Sequence, residues 1–124
     1  MKFNVIDRLK SFRNAFSGIA VLIKYEHNAR IHLVILIAVI AAGLLLHITT
    51  SDWIAIVLAA GIVFMSESFN TALEYLSDVI SPGHNEKIGI AKDLAAAAVM
   101  ISVITSVIVG LIVFIPKIIK LFNH

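Results

Sequence analysis

The chain has 124 residues, 60% of them hydrophobic, and a mean hydropathy of +0.98. Soluble domains are roughly 45–50% apolar, so this composition leaves room for about three membrane-spanning helices and no separate soluble catalytic domain. The net charge of +2 is too small to argue for a nucleic-acid partner, and the absence of cysteine excludes disulfides, thiol catalysis and thiolate metal sites.

In chain order, residues 2–24 read as an amphipathic helix. Phe3, Ile6, Leu9, Phe12, Phe16, Ile19 and Ile23 recur at steps of three or four, while Lys2, Asp7, Arg8, Lys10, Arg13 and Asn14 take most of the remaining circumference. Aromatic residues on one face and basic residues on the other suit a helix lying on the membrane surface. No secretory signal is expected, because this stretch lacks an uninterrupted apolar run. A polar segment, residues 24–30, leads into a first span over about 30–48. His47 to Asp52 reads as a short polar turn, with Ser51 or Asp52 available to cap the next helix and Trp53 at an interfacial position.

The second span runs over about 53–80 and ends in Glu67-Ser-Phe-Asn70-Thr-Ala-Leu-Glu74-Tyr-Leu-Ser-Asp78. Spacings of three, four and four place Glu67, Asn70, Glu74 and Asp78 on one stripe of a helix. Measured from Trp53, Glu67 lies about 21 Å along the axis, Glu74 about 31 Å and Asp78 about 37 Å. In a hydrocarbon core about 30 Å thick the stripe climbs from just inside the interface into water. Like charges four apart repel and a carboxylate within the membrane is costly, so the stripe calls for a counter-charge. The loop Ser81-Pro-Gly-His-Asn-Glu precedes a third span over about 90–116. It opens with Ala91-Lys92-Asp93 and carries the small-residue run Ala95 to Ala98, a close-packing surface. Pro116 is expected to end or kink it, with Lys117 and Lys120 snorkelling beyond.

Lys2, Arg8, Lys10, Arg13, Lys24, Arg30, Lys87 and Lys92 fall on one side of a three-span topology, and only Lys117 and Lys120 fall on the other. This asymmetry predicts a cytoplasmic N-terminus and a cytoplasmic 81–93 loop. The stripe, Glu26 before the first span and Lys92-Asp93 then converge on that interface. Carboxylates from separate elements suit Mg²⁺, which takes one or two of them and shares phosphate oxygens. Lysine can neutralise phosphate as a point charge. Together these parts describe metal-assisted phosphoryl transfer to a hydroxyl held at headgroup depth, although the sequence has no Walker loop and no protein-kinase signature.

Glu67-x-x-Asn70-Thr-Ala-x-Glu74-x-x-x-Asp78, with Ala91-Lys92-Asp93 and the alanine run that follows, resembles the small prokaryotic diacylglycerol kinase family. Glu26-x-Asn28-x-Arg30-Ile31-His32 resembles its undecaprenol kinase branch in particular. The resemblance extends over about residues 8–115. It implies an all-α integral membrane protein, with a surface helix and three transmembrane helices in one lipid kinase domain over residues 1–124. It also implies a homotrimer of the inner membrane with active sites shared between subunits, and ATP-dependent phosphorylation of diacylglycerol or undecaprenol. Carried over by position, Glu67 is the general base, Asn70 orients the reacting groups, and Glu26 and Glu74 hold Mg²⁺. Asp78, Lys92 and Asp93 are nucleotide-side residues. Arg8, Lys10, Arg13, Asn14, Ser17 and Gly18 fall on the surface helix where the family approaches ATP. The family's loop histidine aligns with Asn85, with His84 beside it. His27 and His32 read as interfacial residues rather than ligands. The competing readings are an oligomeric channel or transporter subunit with a cation-binding carboxylate ring, and a membrane scaffold with polar assembly contacts. A pore calls for polar residues at every depth, yet residues 53–65 and 94–115 carry no charge.

Overall fold

Asn4 opens the first helix by accepting a hydrogen bond from the Ile6 amide at 3.0 Å, and α1 then runs Val5–Tyr25. The computed structural model describes residues 3–123, so Lys2 of the expected helix lies outside the described residues. The apolar face of α1 is left uncovered by the rest of the chain: Phe3, Ile6, Leu9, Phe12, Phe16 and Ile19 are all exposed, and Leu22 alone is buried. Such a face is stable only against lipid or another chain.

Glu26 is the single residue between α1 and α2, His27–Leu45. Its extended backbone breaks the helical path, while its amide still bonds Leu22 O at 3.0 Å and its carbonyl accepts from Arg30 N at 3.3 Å. The first span therefore begins three residues earlier than expected, absorbing the polar segment. It ends in a Schellman motif, with the Ile48 amide bonding back to Gly43 O at 3.2 Å and the His47 amide to Leu44 O at 3.4 Å. The motif needs a left-handed residue, and His47 fills it at φ 50°.

The next helix, α3, spans Thr50–Ile80. Its cap is Thr49 rather than Ser51 or Asp52. The Thr49 hydroxyl accepts from Asp52 N at 3.2 Å, and the Asp52 carboxylate accepts from Thr49 N at 3.0 Å, a reciprocal capping box. The last helix, α4, covers Glu86–Phe122. Pro116 does not end it. Proline forfeits one backbone hydrogen bond, to Ile112 O, and the helix continues for six residues to Phe122.

Helices α2, α3 and α4 are long and apolar enough to cross a membrane, and the protein is an all-helical, multi-pass membrane protein. The principal packing is between α3 and α4, and two ion pairs bracket it: Asp52 with Lys117 at one end and Asp78 with Lys92 at the other, each at 3.7 Å. The pairs are separated by 26 residues on α3 and 25 on α4, so the two antiparallel rods advance in step. Nearer the Asp52 end, the Ser106 hydroxyl donates to Ala59 O at 3.2 Å, beside the buried side chain of Ala59. Ile48, Ile56 and Val113 form the buried cluster at the Asp52 end, with Trp53, Val39 and Phe114 against it. Trp53 also bears on Gly43 of α2, where a side-chain carbon would meet the indole at 2.7 Å. Of the alanine run, Ala95 and Ala97 are half-buried, and Ala96 and Ala98 are exposed.

Candidate active site

The polar stripe of α3 lies at the end of the bundle opposite the Trp53 cluster, and its members meet different surroundings. Glu67 is the most buried, at 2% exposure, and is the largest side chain to be fully buried among the described residues. Its Oε1 is 3.1 Å from Nε2 of His32 on α2. One turn on, Asn70 is half-buried, and its amide donates to Glu74 Oε1 at 3.5 Å. The Oδ1 of Asn70 and the hydroxyl of Thr71 are buried and lack a partner among the described residues. Buried polar atoms are rarely left unpaired, so these two point to a group supplied from outside the chain. Farther out, Asp78 is 71% exposed and pairs with Lys92, itself 41% exposed. A pair this wet adds little stability. Its geometry instead sets an acid and a base side by side at the mouth of the stripe.

The stripe is thus graded, from a dry carboxylate at Glu67, through the Asn70–Glu74 pair, to the solvated Asp78–Lys92 pair. Glu26 is half-buried at the α1–α2 break, and Asp93 is exposed beside Lys92. Among the described residues no three His, Asp or Glu side chains gather closely enough to hold an ion between them. Magnesium does not demand such a cage: one or two carboxylates, waters and phosphate oxygens complete its octahedron. Glu26 and Glu74 therefore suit it chemically, and the unpaired Oδ1 beside Glu74 adds a further oxygen donor.

On α1, Arg8, Lys10, Arg13, Asn14 and Ser17 are exposed. Gly18, one residue beyond Ser17, lines a cavity of about 300 Å³ between α1 and α3, whose opposite wall includes Thr71 and Tyr75. In the loop, Asn85 is committed to the backbone, since its Oδ1 accepts from Ile88 N at 3.1 Å and caps α4. His84 beside it is exposed.

The residue that sequence reading passed over is His32, taken as interfacial. A signal was present. Counted from the far ends of their helices, His32 lies 13 residues from Leu45 and Glu67 lies 17 from Thr50, so in antiparallel helices the two fall within about one turn of each other in depth. The pairing of Lys117 with Asp52 was also missed, for Lys117 had been assigned to snorkelling.

A profile of prokaryotic diacylglycerol kinase matches residues 13–114. The chain is 37% identical over 115 residues to an undecaprenol kinase of Bacillus subtilis, an alignment covering 92% of this chain and 94% of that protein. It is also 37% identical over 114 residues to a diacylglycerol kinase of Synechocystis sp., covering 91% of this chain and 65% of the relative. With helices, polar stripe and family match in agreement, the chain belongs to the prokaryotic diacylglycerol kinase family of membrane lipid kinases.

Proposed function

We propose that the protein transfers the γ-phosphoryl group of ATP, in the presence of Mg²⁺, to the hydroxyl of a membrane lipid alcohol at the cytoplasmic face of the inner membrane. Undecaprenol is the favoured acceptor and diacylglycerol the alternative. The observation that carries this reading is the burial of Glu67 at the deep end of a stripe whose outer end is solvated. A carboxylate at that depth meets the hydroxyl of a lipid whose tail stays in the bilayer, while the charged triphosphate stays at the wet end. The undecaprenol preference rests on the Glu26-x-Asn28-x-Arg30-Ile31-His32 signature and on the near full-length match to an undecaprenol kinase.

Glu67 takes the proton of the lipid hydroxyl as the oxygen attacks the γ-phosphorus. The bond to the β-phosphate oxygen breaks, and ADP leaves. Asn70 orients the reacting groups. Lys92, held beside Asp78, offsets phosphate charge, and Asp93 and the exposed His84 serve the nucleotide side. Arg8, Lys10, Arg13, Asn14 and Ser17 of α1 border the nucleotide from the membrane surface. Glu26 and Glu74 hold Mg²⁺, which supplies charge neutralisation along the triphosphate. Three copies form the functional unit, each site drawing on a neighbour. The buried Thr71 hydroxyl, without a partner among the described residues, supports an assembly larger than one chain.

The test is turnover of purified protein with Mg-ATP and, side by side, undecaprenol or diacylglycerol. We expect phosphorylated lipid, fastest with undecaprenol. Glu67→Gln should keep nucleotide binding and lose about 10²- to 10⁴-fold in kcat, the usual worth of a general base. No turnover on either alcohol by protein that binds Mg-ATP would defeat the proposal, and a fully active Glu67→Gln would defeat the assignment of the base.

A further inference from the structure

We infer that His32 is the positioning residue of Glu67: its ring holds one carboxylate oxygen and leaves the other to face the lipid hydroxyl. This rests on the reading of Glu67 as the base.

The inference starts from the surroundings of Glu67. An ionised carboxylate only accepts hydrogen bonds, and one that is 2% exposed has almost no water from which to take them. Among the described residues His32 is the one basic side chain within ion-pair distance of it, with Nε2 at 3.1 Å from Oε1. With Glu67 in the ionised form that a base requires, Oε1 accepts from Nε2–H, and Oε2 has no hydrogen-bond partner among the described residues.

The ring is not free to turn elsewhere. His32 is only 18% exposed. Together with Leu36 and Val39 it forms the stripe of α2 that faces α3 and lines a cavity of about 220 Å³ between the three spans. Two side chains in that wall are polar, His32 and Ser106, and Ser106 already donates to the Ala59 carbonyl. One turn before His32, Ala29 is fully buried, so this end of α2 is held within the bundle. His32 thus presents its ring in an apolar wall, and Glu67 is its one polar partner among the described residues. A long carboxylate side chain has several rotamers to lose on ordering. Fixing it before the substrate arrives lowers the cost of reaching proton-transfer geometry.

The experiment compares His32→Leu with His32→Gln in the full-length protein. The Gln amide N–H reaches about as far as Nε2, whereas Leu keeps bulk without a donor. We expect His32→Leu to lose on the order of 10- to 100-fold in kcat on the lipid alcohol, the worth of a hydrogen bond to a charged group, with KM for Mg-ATP unchanged. His32→Gln should recover most of that loss. A His32→Leu enzyme with wild-type kcat, or a His32→Gln enzyme as slow as the Leu variant, would overturn the inference. A second readout needs no turnover. In protein labelled with ¹⁵N-histidine, the His32 Nε2 resonance should move in Glu67→Gln and stay in place in Glu74→Gln. A resonance indifferent to Glu67→Gln would overturn the contact itself. If the resonance moves but the wild type phosphorylates neither lipid, the kinase reading fails and the pair is structural, which overturns the positioning role through its premise.

Discussion

Replacing Gly43 by alanine should destabilise the protein while leaving its chemistry intact. Gly43 lies in the last turn of α2, where a Cβ would stand 2.7 Å from Trp53 Cη2, 3.0 Å from Trp53 Cζ2 and 3.0 Å from Ile48 Cδ1. Two of these atoms belong to one rigid ring, which is itself packed on Ile48, Ile56 and Val113. The indole must tilt as a whole, and overpacking of this kind costs about 1–3 kcal/mol. Against it, exchanging glycine for alanine in a helix gains about 1 kcal/mol. The net expectation is a loss of up to about 2 kcal/mol, and a larger gap, about 1–3 kcal/mol, to a glycine-to-alanine exchange made where there is no clash. Trp53 is the sole tryptophan, so its fluorescence follows unfolding in a denaturing-detergent titration without an added label. Gly61→Ala is the control, since its Cβ meets nothing within 4 Å in the chain and so brings the helix gain without the clash. The site lies at the opposite end of α3, so kcat per folded molecule should be unchanged. A Gly43→Ala protein as stable as the Gly61→Ala control would refute the close approach of α2 to Trp53.

Two further outcomes are expected. His47→Gly should stabilise the protein by about 1 kcal/mol, because a left-handed conformation costs an L-residue roughly that much and glycine little; the same titration would show it, and a loss of stability would contradict the φ of 50° at that residue. Glu74→Gln should raise the Mg²⁺ concentration needed for half-maximal Mg-ATP binding several-fold while leaving the His32–Glu67 contact in place. Calorimetric titration at fixed nucleotide measures the first, and unchanged magnesium dependence would remove Glu74 from the metal site.

The sequence carried the spans and the stripe because both rest on local periodicity. Glu67, Asn70, Glu74 and Asp78 share a face at any tertiary arrangement, since only the helical repeat is needed. Cap identity was less legible. Thr49, Ser51 and Asp52 are all competent N-caps, and the choice of Thr49 followed from a reciprocal bond that composition does not rank. Of the two outcomes expected at Pro116, an end or a kink, the end does not occur, for a related reason. A lost hydrogen bond ends a marginal helix, but not one held before the proline by the packing of Val113 and Phe114 and just after it by the Lys117–Asp52 pair. His32 was hidden because its partner lies 35 residues away on another helix. Only the register between helices reveals it, and periodicity within one helix says nothing of register.

The paired charges at the two ends of the α3–α4 hairpin make it a caliper. Between Asp52 and Asp78 the helix rises about 39 Å, while the hydrocarbon of a bilayer measures about 30 Å. Both jaws therefore stand in headgroups, and the hairpin cannot shorten to follow a thinner membrane. Glu67 is fixed on this rigid frame about 22 Å from the Asp52 jaw, but the plane of lipid hydroxyls is not: it rises and falls with acyl-chain length. On the proposed reading of Glu67 as the base, membrane thickness becomes a variable of the reaction.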